Sequence, residues 1–275
     1  MTEASPWPTD RRITIADLQA ATDLGERWSM LTSYDTLTAG VFEEAGVRAL
    51  LVGDTSAEMV LGYETTVPMT MDQLVPMVQA VVRGTRVALV VADLPFGSYQ
   101  SGPEAALASA VRQLQEGGAQ AVKLEGGRRV LPQVRALTAA GIPVMGHLGL
   151  TPQSINTLGG VRRVQGRGDA GDELVRDARA LEDAGAFAVV LESVPAELGR
   201  RVSEALRVPT VGIGAGPHCD AQILVWQDMA GLTTGRLPRF VKQYADLHDT
   251  LLDAARRYAD DVSDGRYPDP AHSYS

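Results

Sequence analysis

The 275-residue sequence has little cysteine and no long apolar segment. Cys219 is its only cysteine, so a disulfide framework and a cysteine-rich metal cluster are both excluded. No apolar run approaches the roughly 20 residues that a membrane-spanning helix needs. The first residues, MTEASPWPTDRR, lack the apolar core of a signal peptide. We therefore expect a soluble, cytoplasmic protein.

Basic side chains are also scarce relative to acidic ones. Lys and Arg number 25 against 34 Asp and Glu, which gives a formal net charge of −9. Nucleic acids and anionic membranes both favour basic patches, so neither is expected as the main partner, and small-molecule substrates are. Hydrophobic residues make up 45% of the chain, which is enough for one large core.

Short apolar runs alternate with helix-like stretches along almost the whole chain. Strands are predicted at 28–34, 48–54, 86–93, 119–126, 142–149, 187–193 and 208–216, with a weaker one at 162–166. Helices are predicted at 36–45, 71–83, 103–116, 129–140, 170–184 and 195–206. Four helical stretches end in a glycine, in EEAGV, QEGGA, TAAGI and EDAGA, where a left-handed cap is expected.

Eight strands that alternate with helices predict a parallel sheet, either closed as a (β/α)8 barrel or open and doubly wound. The barrel is favoured because the count is eight and no section separates as a second domain. Residues 1–275 are therefore interpreted as one α/β TIM-barrel domain, with 1–11 and 264–275 peripheral or loose. Residues 238–262 predict an additional C-terminal helix, which either caps the barrel or packs on a neighbouring subunit.

Ionisable residues lie at the ends of five predicted strands. They are Asp54, Asp93, Lys123 with Glu125, His147 and Glu192. A single Asp at a strand end is usually the N-cap of the next helix. Five such ends together favour a shared site, because active sites of α/β barrels lie at the carboxyl ends of the strands.

Converging carboxylates with one nearby lysine repel one another unless a cation joins them. No pair of histidines or cysteines has the spacing of a zinc site, and carboxylate oxygens are the ligands that Mg²⁺ prefers. Because Mg²⁺ leaves coordination positions open to substrate, the site suits a substrate that chelates through two oxygens, such as a 2-oxo acid.

Several motifs, in this order, resemble the 3-methyl-2-oxobutanoate hydroxymethyltransferase (ketopantoate hydroxymethyltransferase) family, and its actinobacterial branch in particular. They are LTSYD (31–35), LLVGDT (50–55), VADLPFGSY (91–99), AVKLEGG (121–127), GHLGLTPQS (146–154), VQGRGD (164–169), LESVP (191–195) and GIGAG (212–216). The similarity extends from about residue 12 to 272. GHLGLTPQS and VQGRGD are the most specific of these motifs.

The resemblance implies a barrel of the phosphoenolpyruvate/isocitrate-lyase type and a Mg²⁺-dependent enzyme. Its reaction would transfer a hydroxymethyl group from 5,10-methylenetetrahydrofolate to 3-methyl-2-oxobutanoate, giving 2-dehydropantoate in pantothenate biosynthesis. The resemblance also implies a homo-oligomer, commonly a decamer.

The resemblance also assigns roles to individual residues. Those that match the family's metal ligands are Asp54, Asp93 and Glu125. Those that match its substrate-binding residues are Asp54, Thr55, Asp93 and Lys123. Glu192 matches its catalytic proton acceptor. The family usually has Ser where this chain has Thr55, which keeps the hydroxyl and adds a methyl group.

Two alternatives stay open from the sequence. One is another Mg²⁺-dependent 2-oxo-acid enzyme on the same barrel, a C–C lyase or phosphonomutase. Such enzymes tend to carry a reactive cysteine in a mobile loop, whereas Cys219 follows the last predicted strand. The other is a non-catalytic barrel scaffold, which the retention of every acid in the set disfavours.

Overall fold

The computed structural model describes residues 7–159 and 164–274. Contacts divide the chain into two compact units, residues 1–224 and 225–275. The first unit is built on a closed barrel of parallel strands paired in sequence order, with the first strand next to the eighth. The strands are β1 (Trp28–Thr32), β2 (Ala49–Val52), β3 (Leu89–Asp93), β4 (Ala121–Glu125), β5 (Val144–Gly149), β6 (Ala188–Glu192), β7 (Thr210–Ile213) and β8 (Ala221–Leu224).

Nine α-helices of the first unit lie within its described residues. They are α1 (Ile15–Asp23), α2 (Thr36–Glu44), α3 (Ser56–Met59), α4 (Met71–Gly84), α5 (Pro103–Gln115), α6 (Leu131–Ala139), α7 (Ile155–Leu158), α8 (Asp169–Asp183) and α9 (Ala196–Ala205). The six predicted helices are all present within one or two residues of their predicted ends. The predicted (β/α)8 barrel is confirmed.

Helix ends follow local sequence signals. Thr70 and Gln73 form a reciprocal capping box at the start of α4, which satisfies backbone N–H groups that have no partner inside the helix. The four predicted cap glycines all have positive φ, at 86°, 81°, 79° and 95° for residues 46, 118, 141 and 185. Glycine adopts this conformation without the steric cost of a Cβ atom, so at each of these helix ends the backbone turns directly towards the next strand.

One predicted strand is wrong and one was missed. Of the weak strand predicted at 162–166, residues 162 and 163 lie outside the described part of the chain, and 164–166 form no strand. The eighth strand is β8 instead. It has only four residues, and Gln222 in its middle is exposed, so it lacks the apolar run that marks a buried parallel strand.

Alternation along the strands separates two cores. Residues of one parity, including Met30, Leu51, Val91, Met145 and Val190, form an apolar cluster inside the barrel. Residues of the other parity pack in a second cluster with apolar side chains of α5, α6, α8 and α9. Successive side chains point to opposite faces of a strand. Ionisable residues with the inward parity therefore project into the barrel.

The second unit contains α10 (Trp226–Met229) and α11 (Leu247–Ser263). The C-terminal helix predicted over 238–262 is present but begins at Leu247, and residues 238–246 form no helix. Within the described residues, no helix is both long and apolar enough to cross a membrane.

Candidate active site

The carboxyl ends of the strands bring the predicted ionisable residues together. In the sheet register Asp93 is opposite Lys123, and Glu125 is opposite His147. Glu192 is one strand further on, opposite Gly149. All four ionisable strand-end positions from β3 to β5 share the inward parity, as does Glu192, so they converge above the apolar interior at the mouth of the barrel.

Asp54 and Asp93 lie side by side at the ends of β2 and β3. The backbone N–H of Asp54 donates to Asp93 Oδ2 at 3.0 Å, and both side chains are buried. Burial raises the pKa of Asp54 well above its usual value, and the charges of Asp93 and Glu125 raise it further. Burial likewise raises the pKa of Asp93, although Lys123 opposes the change. Burial therefore disfavours the charged form of both carboxylates.

Lys123 is the cation nearest these acids. Its Nζ lies 2.7 Å from Asp93 Oδ1, and its side chain is only 4% exposed. The contact is a buried ion pair between the ammonium and the carboxylate. Burial alone would lower the pKa of Lys123, but Asp93, Glu125 and Asp54 together raise it above its usual value. The ammonium is therefore retained in the barrel mouth at neutral pH.

His147 connects the acids of β4 and β6. Its Nδ1 lies 3.3 Å from Glu125 Oε1 and its Nε2 lies 3.2 Å from Glu192 Oε2. Burial and Lys123, whose Nζ is 3.4 Å from Nδ1, lower the pKa of His147. The two carboxylates outweigh them and raise it to about 9. The sequence placed His147 at a strand end but assigned it no role.

Glu192 and Thr55 are the more accessible members of the predicted set. The Glu192 side chain is 18% exposed, against 2% for Glu125. Thr55 is half-buried and directly precedes α3, next to Asp54. A proton acceptor and a substrate-binding hydroxyl both need access to ligand, so this partial exposure fits the predicted roles.

Gln153 is a site residue that the sequence did not predict. It lies in the loop after β5 and is 5% exposed. Its Nε2 donates to Asp54 Oδ2 at 2.8 Å, and its backbone N–H donates to Glu125 Oε2 at 3.0 Å. Gln153 is part of GHLGLTPQS, and the specificity of that motif is the only sequence signal that points to it.

The buried carboxylates of the cluster are candidate ligands for a metal ion. No three His, Cys, Asp or Glu side chains converge into a complete metal site anywhere in 7–159 or 164–274. Mg²⁺ ordinarily takes one or two carboxylates and fills its other positions with water and substrate. A divalent cation bound at Asp54 and Asp93 would favour the charged forms that burial disfavours. The residues therefore suit Mg²⁺, which keeps water and substrate among its ligands, better than a metal ion whose ligands are all protein side chains.

A cleft of about 350 Å³ opens beside this cluster. Glu125 and Gln153 line it together with Phe96, Arg129 and Thr157. Phe96 is 46% exposed, so the cleft presents an aromatic ring and a guanidinium close to the acids.

Comparison with known proteins identifies the family to which this chain belongs. The profile of the ketopantoate hydroxymethyltransferase family matches residues 12–270. The chain belongs to this family. It is 66% identical over 269 residues to a 3-methyl-2-oxobutanoate hydroxymethyltransferase of Frankia casuarinae, covering 98% of this chain and 90% of the relative. It is 58% identical over 272 residues to the enzyme of that name from Leifsonia xyli subsp. xyli, covering 99% and 98%. The predicted resemblance and its actinobacterial character are confirmed.

Solved structures of more distant proteins share the barrel fold of this chain. A phosphonopyruvate hydrolase in complex with oxalate and Mg²⁺ superposes with a TM-score of 0.62 at 17% identity, covering 96% of this chain and 92% of its own. A 2,3-dimethylmalate lyase of the PEP mutase/isocitrate lyase superfamily gives a TM-score of 0.61 at 19% identity, covering 94% and 92%. At these identities the likeness shows the fold alone, and the predicted barrel fold is confirmed.

The position of Cys219 differs from the predicted one. The sequence placed it after the last strand, but it lies between β7 and β8, where it is buried. Burial raises the pKa of its thiol, which disfavours the reactive thiolate. The family assignment, at 58–66% identity, favours a hydroxymethyltransferase over the lyase, phosphonomutase and scaffold alternatives.

Proposed function

We propose that this protein transfers a hydroxymethyl group from 5,10-methylenetetrahydrofolate to 3-methyl-2-oxobutanoate, with Mg²⁺ as cofactor, giving 2-dehydropantoate in pantothenate biosynthesis. The observation that carries the proposal is the cluster at the barrel mouth, in which Asp54, Asp93, Glu125 and Glu192 surround Lys123 and His147. Membership of the ketopantoate hydroxymethyltransferase family supports the choice of reaction.

Asp54 and Asp93 would hold the metal, with Glu125 as the third acid of the set. When bound there, Mg²⁺ would act as a Lewis acid that stabilises the charge developing on the keto oxygen of the oxo acid. The burial of both aspartates limits the motion of their oxygens, so they provide a preorganised pair of hard ligands.

Glu192 would accept the C3 proton of the oxo acid. It is the most exposed acid of the cluster, at 18%, and His147 Nε2 lies 3.2 Å from its carboxylate. The C3 carbon would then bond to the methylene carbon, whose bonds to both N5 and N10 of the folate break. Water would supply the hydroxyl group, and the C3 proton and the other water proton would end on the two folate nitrogens. A positioned base of this kind typically contributes about 10²- to 10⁴-fold to the rate.

Lys123 would neutralise the carboxylate of the oxo acid, with Thr55 donating a hydrogen bond to the same substrate. The ammonium group is a compact point charge that suits a carboxylate held close to a metal. Its pairing with Asp93 at 2.7 Å keeps it beside the aspartates. The substrate carboxylate and the metal would therefore occupy neighbouring positions.

We also propose that the protein is a cytoplasmic homo-oligomer, on the resemblance to the family, in which the decamer is common. Size-exclusion chromatography with light scattering distinguishes a decamer from a monomer of 29.2 kDa. A monomeric elution at micromolar concentration would contradict this part of the proposal.

The proposed reaction is tested by following folate-dependent formation of 2-dehydropantoate from 3-methyl-2-oxobutanoate. Product is expected with Mg²⁺, is expected to disappear with excess EDTA, and is expected to return when Mg²⁺ exceeds the chelator. As a control, 2-oxobutanoate, which lacks the branching methyl group, measures the selectivity for the branched substrate. Full activity in EDTA would refute the role of the metal, and the absence of product under every condition would refute the reaction.

A further inference from the structure

A buried glutamine contacts two of the proposed metal-ligand carboxylates, one through its side-chain amide and the other through its backbone N–H. Gln153 donates from Nε2 to Asp54 Oδ2 at 2.8 Å and from its backbone N–H to Glu125 Oε2 at 3.0 Å. Asp54 follows β2 and Glu125 ends β4, and Gln153 is 99 residues from Asp54 in sequence. One residue from the β5 loop thus contacts carboxylates at the carboxyl ends of two other strands.

The surroundings of the amide fix which end faces Asp54. Gln153 Oε1 accepts from the hydroxyl of Tyr99 at 2.7 Å and from Gln100 Nε2 at 3.2 Å. Gln153 Nε2 donates a second bond to the backbone carbonyl of Leu94 at 3.0 Å. A flipped amide would place its oxygen against two acceptors, the Asp54 carboxylate and the Leu94 carbonyl. The flipped orientation is therefore disfavoured.

Tyr99 forms hydrogen bonds with both Gln153 and Glu125. Its hydroxyl also accepts from the backbone N–H of Glu125 at 3.1 Å, and the side chain is 1% exposed. The phenol thus donates to the amide oxygen of Gln153 and accepts from the backbone of Glu125.

We propose that Gln153 is a positioning residue, which with Tyr99 orients the carboxylates of Asp54 and Glu125 for a divalent cation. The inference rests on the proposed function, because it assumes that these acids hold Mg²⁺. Hydrogen bonds that orient metal-ligating carboxylates are worth about 10- to 100-fold in metal affinity. The amide donates to Asp54 without adding charge, so it fixes one carboxylate oxygen and leaves the other for the metal.

A residue that only supports the fold would behave differently. Its loss would lower the stability of the metal-free protein and the amount of active enzyme, but the folded fraction would bind Mg²⁺ with unchanged affinity. Loss of a positioning residue weakens Mg²⁺ binding in protein that is folded, and saturating Mg²⁺ restores much of the turnover. The dissociation constant of Mg²⁺ therefore separates the two roles.

The test compares Gln153→Met and Tyr99→Phe with Gln120→Met in the full chain. Gln120 is a matched control because its amide also makes two side-chain bonds, to the backbone of Val90 and Gly118, but directly before β4, at the opposite end of the barrel. Titration calorimetry measures Mg²⁺ binding to the metal-free protein in the presence of 3-methyl-2-oxobutanoate. Thermal unfolding of the same samples measures the stability.

Gln153→Met is expected to weaken Mg²⁺ binding by about 10- to 100-fold, and Tyr99→Phe by a smaller factor in the same direction. Gln120→Met is expected to bind Mg²⁺ as wild type does. Tyr99→Phe keeps the buried ring and so provides the test if Gln153→Met does not fold. Wild-type Mg²⁺ affinity in Tyr99→Phe, and in Gln153→Met if that variant folds, would overturn the inference. Equal weakening of Mg²⁺ binding in Gln120→Met would also overturn it. Either result would leave the proposed function standing. Failure of the wild-type protein to bind Mg²⁺ would overturn the proposed function with it.

Discussion

Replacement of Lys123 by methionine tests the charge balance of the barrel mouth. The sequence has two lysines, Lys123 and Lys242, and the first is buried against Asp93 at 2.7 Å. Methionine keeps most of the side-chain volume and removes the charge. The variant leaves Asp93 buried near Asp54 and Glu125 without its closest cation.

The cost of this change follows from the burial of the pair. Removing one partner of a buried ion pair typically destabilises a protein by about 3–5 kcal/mol. Asp93 can reduce that cost by taking up a proton, since burial already raises its pKa. In the variant the folded state therefore binds more protons than the unfolded state, and stability falls as the pH rises. We expect a loss of about 3 kcal/mol at pH 8 and a smaller loss at pH 5.

Urea unfolding of metal-free protein at both pH values measures these differences, with Lys242→Met as the matched control. Lys242 is exposed, with Nζ 4.8 Å from the centre of the Tyr244 ring, so its loss should cost at most about 1 kcal/mol at either pH. The reasoning is refuted if Lys123→Met is as stable as Lys242→Met at pH 8, or if its deficit grows at pH 5.

Three further predictions concern single groups. Glu192→Gln should bind oxo acid and Mg²⁺ like wild type in calorimetry yet lose about 10²- to 10⁴-fold in turnover; lost binding would make it a binding residue instead. Glu43 accepts three backbone N–H groups before β3, which lower its pKa although burial opposes them. Its stabilisation is present above the unfolded pKa near 4.5 and lost as the pH falls through the folded pKa. Urea unfolding of Glu43→Gln should therefore show a weaker loss of stability on acidification below pH 4.5, and an unchanged slope would contradict this. Gly199→Ala should lower the free energy of unfolding by about 1–3 kcal/mol, because its Cβ would lie 2.2 Å from a carbonyl oxygen. In Gly40→Ala the nearest atom to the new Cβ would be 3.4 Å away, so this control should be neutral or stabilising in the same urea unfolding measurement.

The barrel and most of the acid cluster were predictable because they depend on local patterns. Asp93, Glu125 and Glu192 each end a strand, and parallel strands bring such ends to one edge of the barrel. Parity along β4 also places Lys123 and Glu125 on the same face.

Other parts of the site depend on contacts that no local pattern records. Gln153 carries no charge, and only the closure of the barrel brings it to Asp54. The bridge from His147 to Glu125 and Glu192 likewise needs the register of three strands. Strand β8 was missed because four residues with an exposed Gln222 give too short an apolar pattern to distinguish a strand from a loop.

The central claim is that the acids of the barrel mouth, with Mg²⁺, make the C3–H of a branched 2-oxo acid acidic. Its most direct measurement is proton NMR of 3-methyl-2-oxobutanoate in deuterated water, with protein and Mg²⁺ but no folate. The wild-type protein should exchange the C3 hydrogen for deuterium, and Asp93→Ala should exchange it no faster than buffer with Mg²⁺. No exchange by the wild-type protein, or wild-type exchange by folded Asp93→Ala, would contradict the claim.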